Sequence, residues 1–298
     1  MKLGGVDVAV SGRLVRIGCV AAEGFQFIED PELALAQLAK DTPMDLFTFI
    51  QPLPAGKPRY GYPMEWDNVA ALPVSTFEHW WTVQISGKTR NMVRRSAKMG
   101  LVFREVAFDD ALVEGIWQIY NETPVRQARP FPHYGKSLEQ VRQMSATFLD
   151  SSIFIGAYLG KKLVGFVKLT IDAARSQAAV MNFVSLMAHK DKAPTNGLIA
   201  EAVKACEKHA LPYLVYSKFS YGNKAPDSLS DFKARNGFTR LEVPRYYVPL
   251  TRWGALAFRL GLQHGVRSRI PQPAADALRR YRDMWYEQKA GIIGRRSL

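Results

Sequence analysis

The chain is short of cysteine. Cys19 and Cys206 are the only two in 298 residues. They lie far apart and without metal-like spacing, which argues against a disulfide framework and a cysteine-based zinc site. Long apolar runs are missing too. No segment approaches the length of a membrane span, and the first residues lack the apolar core of a secretory signal. The expectation is a cytoplasmic protein that uses no metal. No repeat at a fixed short period and no low-complexity tract is present. Acidic residues are few beside basic ones, 27 against 40, for a net charge of +13. Such an excess favours acidic partners: nucleic acid, anionic lipid or a phosphorylated cofactor. It does not choose among them.

What is present is a globular composition, 47% hydrophobic and 22% charged, on a chain long enough for two domains. The positive charge is uneven. Residues 251–298 hold ten Lys and Arg against three acids. A second cluster, "GKTRNMVRRSAK", carries Lys88, Arg90, Arg94, Arg95 and Lys98.

Pattern and punctuation predict the elements. "RLVRIGCV", "FQFIE" and "DLFTFIQ" read as strands, with a helix from Asp30-Pro31 through "PELALAQLAK". "PLPAGKPRYGYP" is loop, and Trp66, Phe77, Trp80 and Trp81 after it suit either a core or a binding wall. Ser86 caps a helix that ends before Gly100, followed by the strand "LVFREV". Two helices follow, "DDALVEGIWQIYNETPVRQ" and "SLEQVRQMSATFLD", around the loop "ARPFPHYG". The hairpin "SIFIGAYLGKKLVGFVKLTI", a third strand "QAAVMNFVSLM" and a helix over about residues 196–209 come next. After them lie "YLVYSKF", the short helix "SLSDFKARNGF" and a strand "RLEVPRYYVPL" interrupted at Pro244. The sheet is expected to be mostly antiparallel, with one crossover helix. Residues 251–298 read as basic amphipathic helices.

The order of the second half, with a glycine-containing turn before the central helix and "GF" after a short one, resembles the GNAT acyltransferase superfamily. "KTRNMVRRSAKMGLVFREV", just after tryptophans, is similar to the "R..IRRA...G" segment of Fem-type peptidoglycan-bridge ligases and related CelD-type acyltransferases. "DFKARNGF" resembles the "FK...G" element of the same group. The resemblance implies an α/β (α+β) fold of two tandem GNAT-like domains with mixed, mostly antiparallel sheets flanked by helices. It divides the chain into a degenerate N-terminal domain over 1–148, a C-terminal domain over 149–250 and a basic helical tail over 251–298.

It also implies amide formation. An acyl or aminoacyl group would pass from acyl-CoA (acetyl-CoA or longer), or from aminoacyl-tRNA, to an amine of a small molecule or an envelope or polysaccharide precursor. The pyrophosphate turn of the superfamily falls on "HKDKAPTNGLIAEAV", where Lys190, Lys192, Thr195, Asn196 and Gly197 are the cofactor candidates. A helix start suits an anion there, yet Pro194 has no N–H to give and only one glycine is present. The competing reading is a plain helix cap with solvated lysines. Cys206 fits a small buried residue on the apolar face of that helix.

The superfamily's usual carboxylate and tyrosine do not map onto this chain. Lys233, in the FK element, stands where it would stabilise a negative leaving group. Lys218 and Tyr221, at and beyond a strand end, are further catalytic candidates, with Tyr216 and Asn223 beside them for substrate. His133 can accept a proton near pH 7, and Arg126 and Arg129 flank it for an acidic acceptor. The cluster from Lys88 to Lys98 suits tRNA phosphates or a solvated helix face alike. In the tail, Trp253, Leu256, Ala257 and Leu260 beside Arg252 and Arg259 suit either peripheral contact with an anionic membrane or docking on the protein's own surface. A non-catalytic module that keeps the fold and binds nucleic acid or membrane is the other class of reading.

Overall fold

The protein is described here from a computed structural model, for residues 1–37, 43–126, 129–220 and 228–264. In chain order come β1 (Lys2–Leu3), β2 (Val6–Ser11), β3 (Ile17–Val20), α1 (Pro31–Ala36), β4 (Leu46–Ile50), β5 (Met64–Pro73), α2 (Phe77–His79) and α3 (Gly87–Lys98). Then follow β6 (Leu101–Val106), α4 (Asp110–Tyr120), β7 (Val125–Arg126), β8 (Arg129–Pro130), α5 (Leu138–Ser145), β9 (Ser152–Leu159) and β10 (Lys162–Ile171). The rest are β11 (Ala178–Ser185), α6 (Pro194–Lys208), β12 (Tyr213–Val215), α7 (Ser228–Arg235), β13 (Thr239–Pro249) and α8 (Arg252–Arg259).

Two compact units share the chain in alternating pieces. The first comprises Met1–Ser86, Leu169–Met181 and Val203–Ser268; the described part of the second comprises Gly87–Lys168 and Asn182–Ala202. The sequence reading placed its cuts at 148 and 250, one after the other. The chain passes between units inside β10, β11 and α6.

In the first unit the strands lie in the order β1-β2-β3-β4-β13-β5-β12, and β12 pairs with the start of β11. Most pairs are antiparallel. The pairs β3–β4 and β11–β12 are parallel, and each is joined through a helix, α1 and α6. A parallel pair needs such a crossover because the chain must return to the same end of the sheet. The sequence had shown only the second of them. Phe47, Phe49 and Tyr246 on neighbouring β4 and β13 belong to an apolar cluster of this unit, with Met44 and Val248. In the second unit the order is β10-β9-β6, and β6 pairs antiparallel with β9 from Leu101↔Leu159 to Val106↔Phe154.

Local signals were met at several points. Asp30 caps α1 by accepting from Leu33 N–H at 2.9 Å, with Pro31 in the first turn. Gly100, after α3, has φ +81, the left-handed value that a C-terminal glycine supplies without strain. Cys206 is fully buried on α6, and burial pushes its thiol up to about 12.

Three expectations are corrected. "FQFIE" is not a strand: Phe25 and Gln26 donate their N–H groups to Ala22 in a turn instead of to a neighbouring strand. β13 is not interrupted at Pro244. Its ladder with β4 begins only at Arg245, so the missing N–H costs no ladder bond, while Pro244 carbonyl accepts from Gln51 at 3.0 Å. β12 is shorter than "YLVYSKF", because Ser217 turns to φ +53 just past Val215. β5, which pairs with both β13 and β12, was not anticipated at all.

Candidate active site

The first unit contains a cavity of about 110 Å³ lined by Glu23, Asp67, Asn68, Gln177, Lys218 and Arg245 over an apolar floor that includes Val215 and Val243. Register explains how the charges meet. Asp67 on β5 stands opposite Val243 on β13, two residues from Arg245. Arg245 Nε donates to Asp67 Oδ2 at 2.7 Å, and its two terminal nitrogens grip both oxygens of Glu23 at 2.8 and 2.7 Å. Past the turn at Ser217, Lys218 Nζ donates to the same Asp67 oxygen at 2.6 Å.

Burial by itself would raise the Asp67 carboxyl. The hydrogen bond from Lys218 and the charge of Arg245 outweigh it, and the net effect lowers the pKa. Burial likewise disfavours the charged Arg245, and the paired Glu23 and Asp67 carboxylates reverse the effect and hold it ionised. Arg245 and Asp67 are little exposed; Lys218 is 39% exposed and is the cation of this group that water reaches most. Gln177, 3% exposed, donates through Nε2 to Gly24 carbonyl at 2.6 Å, while its Oε1 is buried without a partner among the described residues.

Lys233 of the FK element is fully buried. Its Nζ donates to the carbonyl of Lys218 at 2.6 Å and lies 4.6 Å from the centre of the Tyr216 ring. Tyr216 packs against Phe238 and does not line the cavity. The turn at Ser217 breaks strict alternation, so Tyr216 and Lys218 do not share the face that the strand period implied. Tyr221 and Asn223 lie outside the described residues.

The second unit gathers other candidates. Arg126 on β7 and Glu122, four residues apart, tie the end of α4 to the end of β11. Arg126 donates to Ser185 carbonyl at 2.7 Å, to Ile119 carbonyl at 2.8 Å and to Glu122 at 3.0 Å. Glu122 also accepts from the N–H groups of Met187 and Ala188 at 2.8 and 2.9 Å. Arg126, expected to hold an acceptor, thus gives its terminal nitrogens to the protein. His133 stacks on Tyr120 at 4.4 Å, and burial followed by the charges of Lys136 and Arg126 pushes its pKa down, leaving it neutral at pH 7. Its Nδ1 is buried without a partner among the described residues. Arg129 is exposed on β8, opposite Arg126.

The turn before α6 is less open than its sequence suggested. The N–H groups of Asn196 and Gly197 both point at Ala193 carbonyl, at 3.2 and 3.5 Å. A side chain on Gly197 would lie 2.1 Å from the ring of Phe103, so this glycine serves a packing contact. Lys192 pairs with Asp191 at 3.1 Å. Lys88, Arg94, Arg95 and Lys98 are exposed on α3 and Arg90 half-buried, and the charge of Arg95 is among the influences that lower the Asp191 pKa. The basic helix and the turn belong to one unit.

Sequence reading missed Glu23, Asp67, Gln177 and Arg245, and Glu122 in the second unit. A usable signal was a charge inside an apolar strand run, as in "EWDNVAAL" and "VPRYYV".

The fold is similar to those of solved structures. FemX superposes with a TM-score of 0.55 at 10% identity, over 86% of each chain. The C-terminal domain of a protein named as a lysylphosphatidylglycerol synthetase, from Agrobacterium fabrum, superposes with a TM-score of 0.55 at 13% identity, over 86% of this chain and 84% of that one. At such identities the likeness is one of fold. No family model and no curated protein matches the sequence.

Proposed function

We propose that the chain is an acyltransferase that moves an acyl or aminoacyl group from an activated donor to an amine. The observation that carries the reading is Lys218. Its ammonium is fixed by Asp67 at a cavity, and its carbonyl fixes the ammonium of Lys233. When an amine attacks an activated carbonyl, an N–C bond forms and the C–S or C–O bond to the leaving group breaks. Negative charge gathers first on the carbonyl oxygen and then on the leaving group, where positioned ammonium groups stabilise it. Lys218 is assigned that role, Asp67 and Arg245 position it, and Lys233 holds the strand end in place.

Acyl-CoA is the first donor to test, with a small-molecule or saccharide-precursor amine as acceptor. A second reading, aminoacyl-tRNA as donor, is favoured by the turn before α6. Its amides at Asn196 and Gly197 are spent internally, while basic α3 belongs to the same unit. That surface suits an extended polyphosphate better than a compact pyrophosphate cradle. The synthetase named among the neighbours gives the aminoacyl version a further reason for testing.

The test is thermal shift and transfer assays with CoA thioesters and with charged tRNA. Lys218→Met should lower kcat about a hundredfold while leaving the melting temperature nearly unchanged, as removal of a charge-stabilising donor does. Stabilisation by thioesters supports the first donor; binding of tRNA that weakens in Arg94→Gln/Arg95→Gln with a reduced salt slope supports the second. If no thioester and no tRNA binds, the transferase reading fails and the non-catalytic module stands.

A further inference from the structure

One surface of the first unit has no part in the transfer reaction. Trp253 and Leu256 on α8, and Leu260 just past its end, are 42%, 47% and 55% exposed, and Leu14, in the loop between β2 and β3, is 74% exposed. They belong together, because Trp253 Nε1 donates to the carbonyl of Leu14 at 2.9 Å. Arg13, Arg16, Arg252 and Arg259 are exposed in the same two segments, and residues 11–17 and 250–264 contain no Asp or Glu.

The posture of this face is fixed from below. Asp45, almost wholly buried, accepts from the Arg16 N–H at 2.8 Å and from the Thr251 hydroxyl at 3.2 Å. Gly254 lies so close that a side chain on it would be 1.9 Å from Asp45 carbonyl. Ala257 turns inward against Val15 and Leu46. Phe258 packs inward too, 5.1 Å from the ring of Tyr247, and Trp253, Leu256 and Leu260 are left facing out. Exposed apolar residues scattered singly need no explanation, whereas four gathered among four arginines do.

We infer that this face docks on an anionic lipid bilayer, with the indole and leucines at the headgroup boundary and the guanidinium groups on lipid phosphates. Charge complementarity selects that occupant: Arg16 Nε leans on Asp45 at 3.5 Å, while the guanidinium groups of Arg13, Arg252 and Arg259 have no carboxylate partner among the described residues and a neutral surface would leave them unmatched. The inference does not rest on the transferase reading.

Sedimentation of the full chain with equimolar phosphatidylcholine and phosphatidylglycerol vesicles tests it against phosphatidylcholine alone. Binding is expected to the anionic vesicles. Leu256→Glu/Leu260→Glu should weaken it roughly tenfold or more, and Arg13→Gln/Arg252→Gln/Arg259→Gln about a hundredfold, with a flatter salt dependence. As a check independent of those variants' folding, brominated lipid should quench wild-type fluorescence more than that of Trp253→Phe. Wild-type protein that ignores anionic vesicles overturns the inference. So does undiminished binding by Leu256→Glu/Leu260→Glu, or a dimer that this variant dissolves in the absence of any vesicle binding.

Discussion

Arg245 in the first unit and Lys168 in the second are both cations shut away from water, held in opposite ways. Arg245 faces two carboxylates, Glu23 and Asp67, which keep it charged. Lys168, fully buried on β10, donates to Ser145 carbonyl at 2.9 Å and to the carbonyl and hydroxyl of Thr147. No carboxylate reaches it among the described residues, and burial lowers its pKa to about 8. A matched buried pair is costly to break from one side, since the survivor is left charged in a poor solvent. A buried ammonium held by carbonyls is satisfied in hydrogen bonds yet strained in charge. The first arrangement suits a site that must keep its charges at neutral pH; the second pins a turn.

The largest effect should come from breaking the matched cluster. Asp67→Ala leaves Arg245 and Lys218 facing each other's charge and should cost about 3–5 kcal/mol in urea unfolding. A loss below about 1 kcal/mol would show that the cluster is held by packing alone. The pH dependence of this contribution has a definite sign. The folded Asp67 pKa is lowered, so its stabilisation is present above the ordinary carboxylate value near pH 4 and fades as pH falls through the depressed one.

A middle-sized effect probes the filling of the second unit. Gly197→Ala should destabilise by about 1–3 kcal/mol, because its methyl group meets Phe103. In a Phe103→Leu background the same change should become neutral or favourable, since alanine is the better helix former by about 1 kcal/mol. A penalty that persists there would place the strain elsewhere.

The smallest effect is a slope. Lys168 has a folded pKa near 8, below its unfolded value, so the unfolded chain binds more protons between them. Stability from this group should therefore rise as pH climbs from about 8 to about 10. Chemical unfolding across that range should lose this component in Lys168→Met. An identical slope in wild type and variant would mean that Lys168 does not titrate.

Local features were legible in the sequence where they depend on neighbours in the chain. The Asp30 cap, the Gly100 turn, the buried face of α6 and the hairpin of β9 and β10 follow from spacing and from single residues. Lys218 and Lys233 could be named because they sit on a strand end and a recognisable motif. "FQFIE" misled because a strand-like composition at Phe25 was captured by a local turn. The tail helix showed an apolar stripe, and the structure packs Ala257 and Gly254 inward and leaves Leu256 outward.

By itself, then, the sequence determined most of the helices, the strands of the second half and the basic excess, and pointed to the likeness of fold. Only the tertiary structure decided that residues 23, 67, 218 and 245 form one ionic cluster. A period of two says which residues share a face of a strand. It does not say which strand lies alongside, and the partner of a charge is settled by that neighbour and its register.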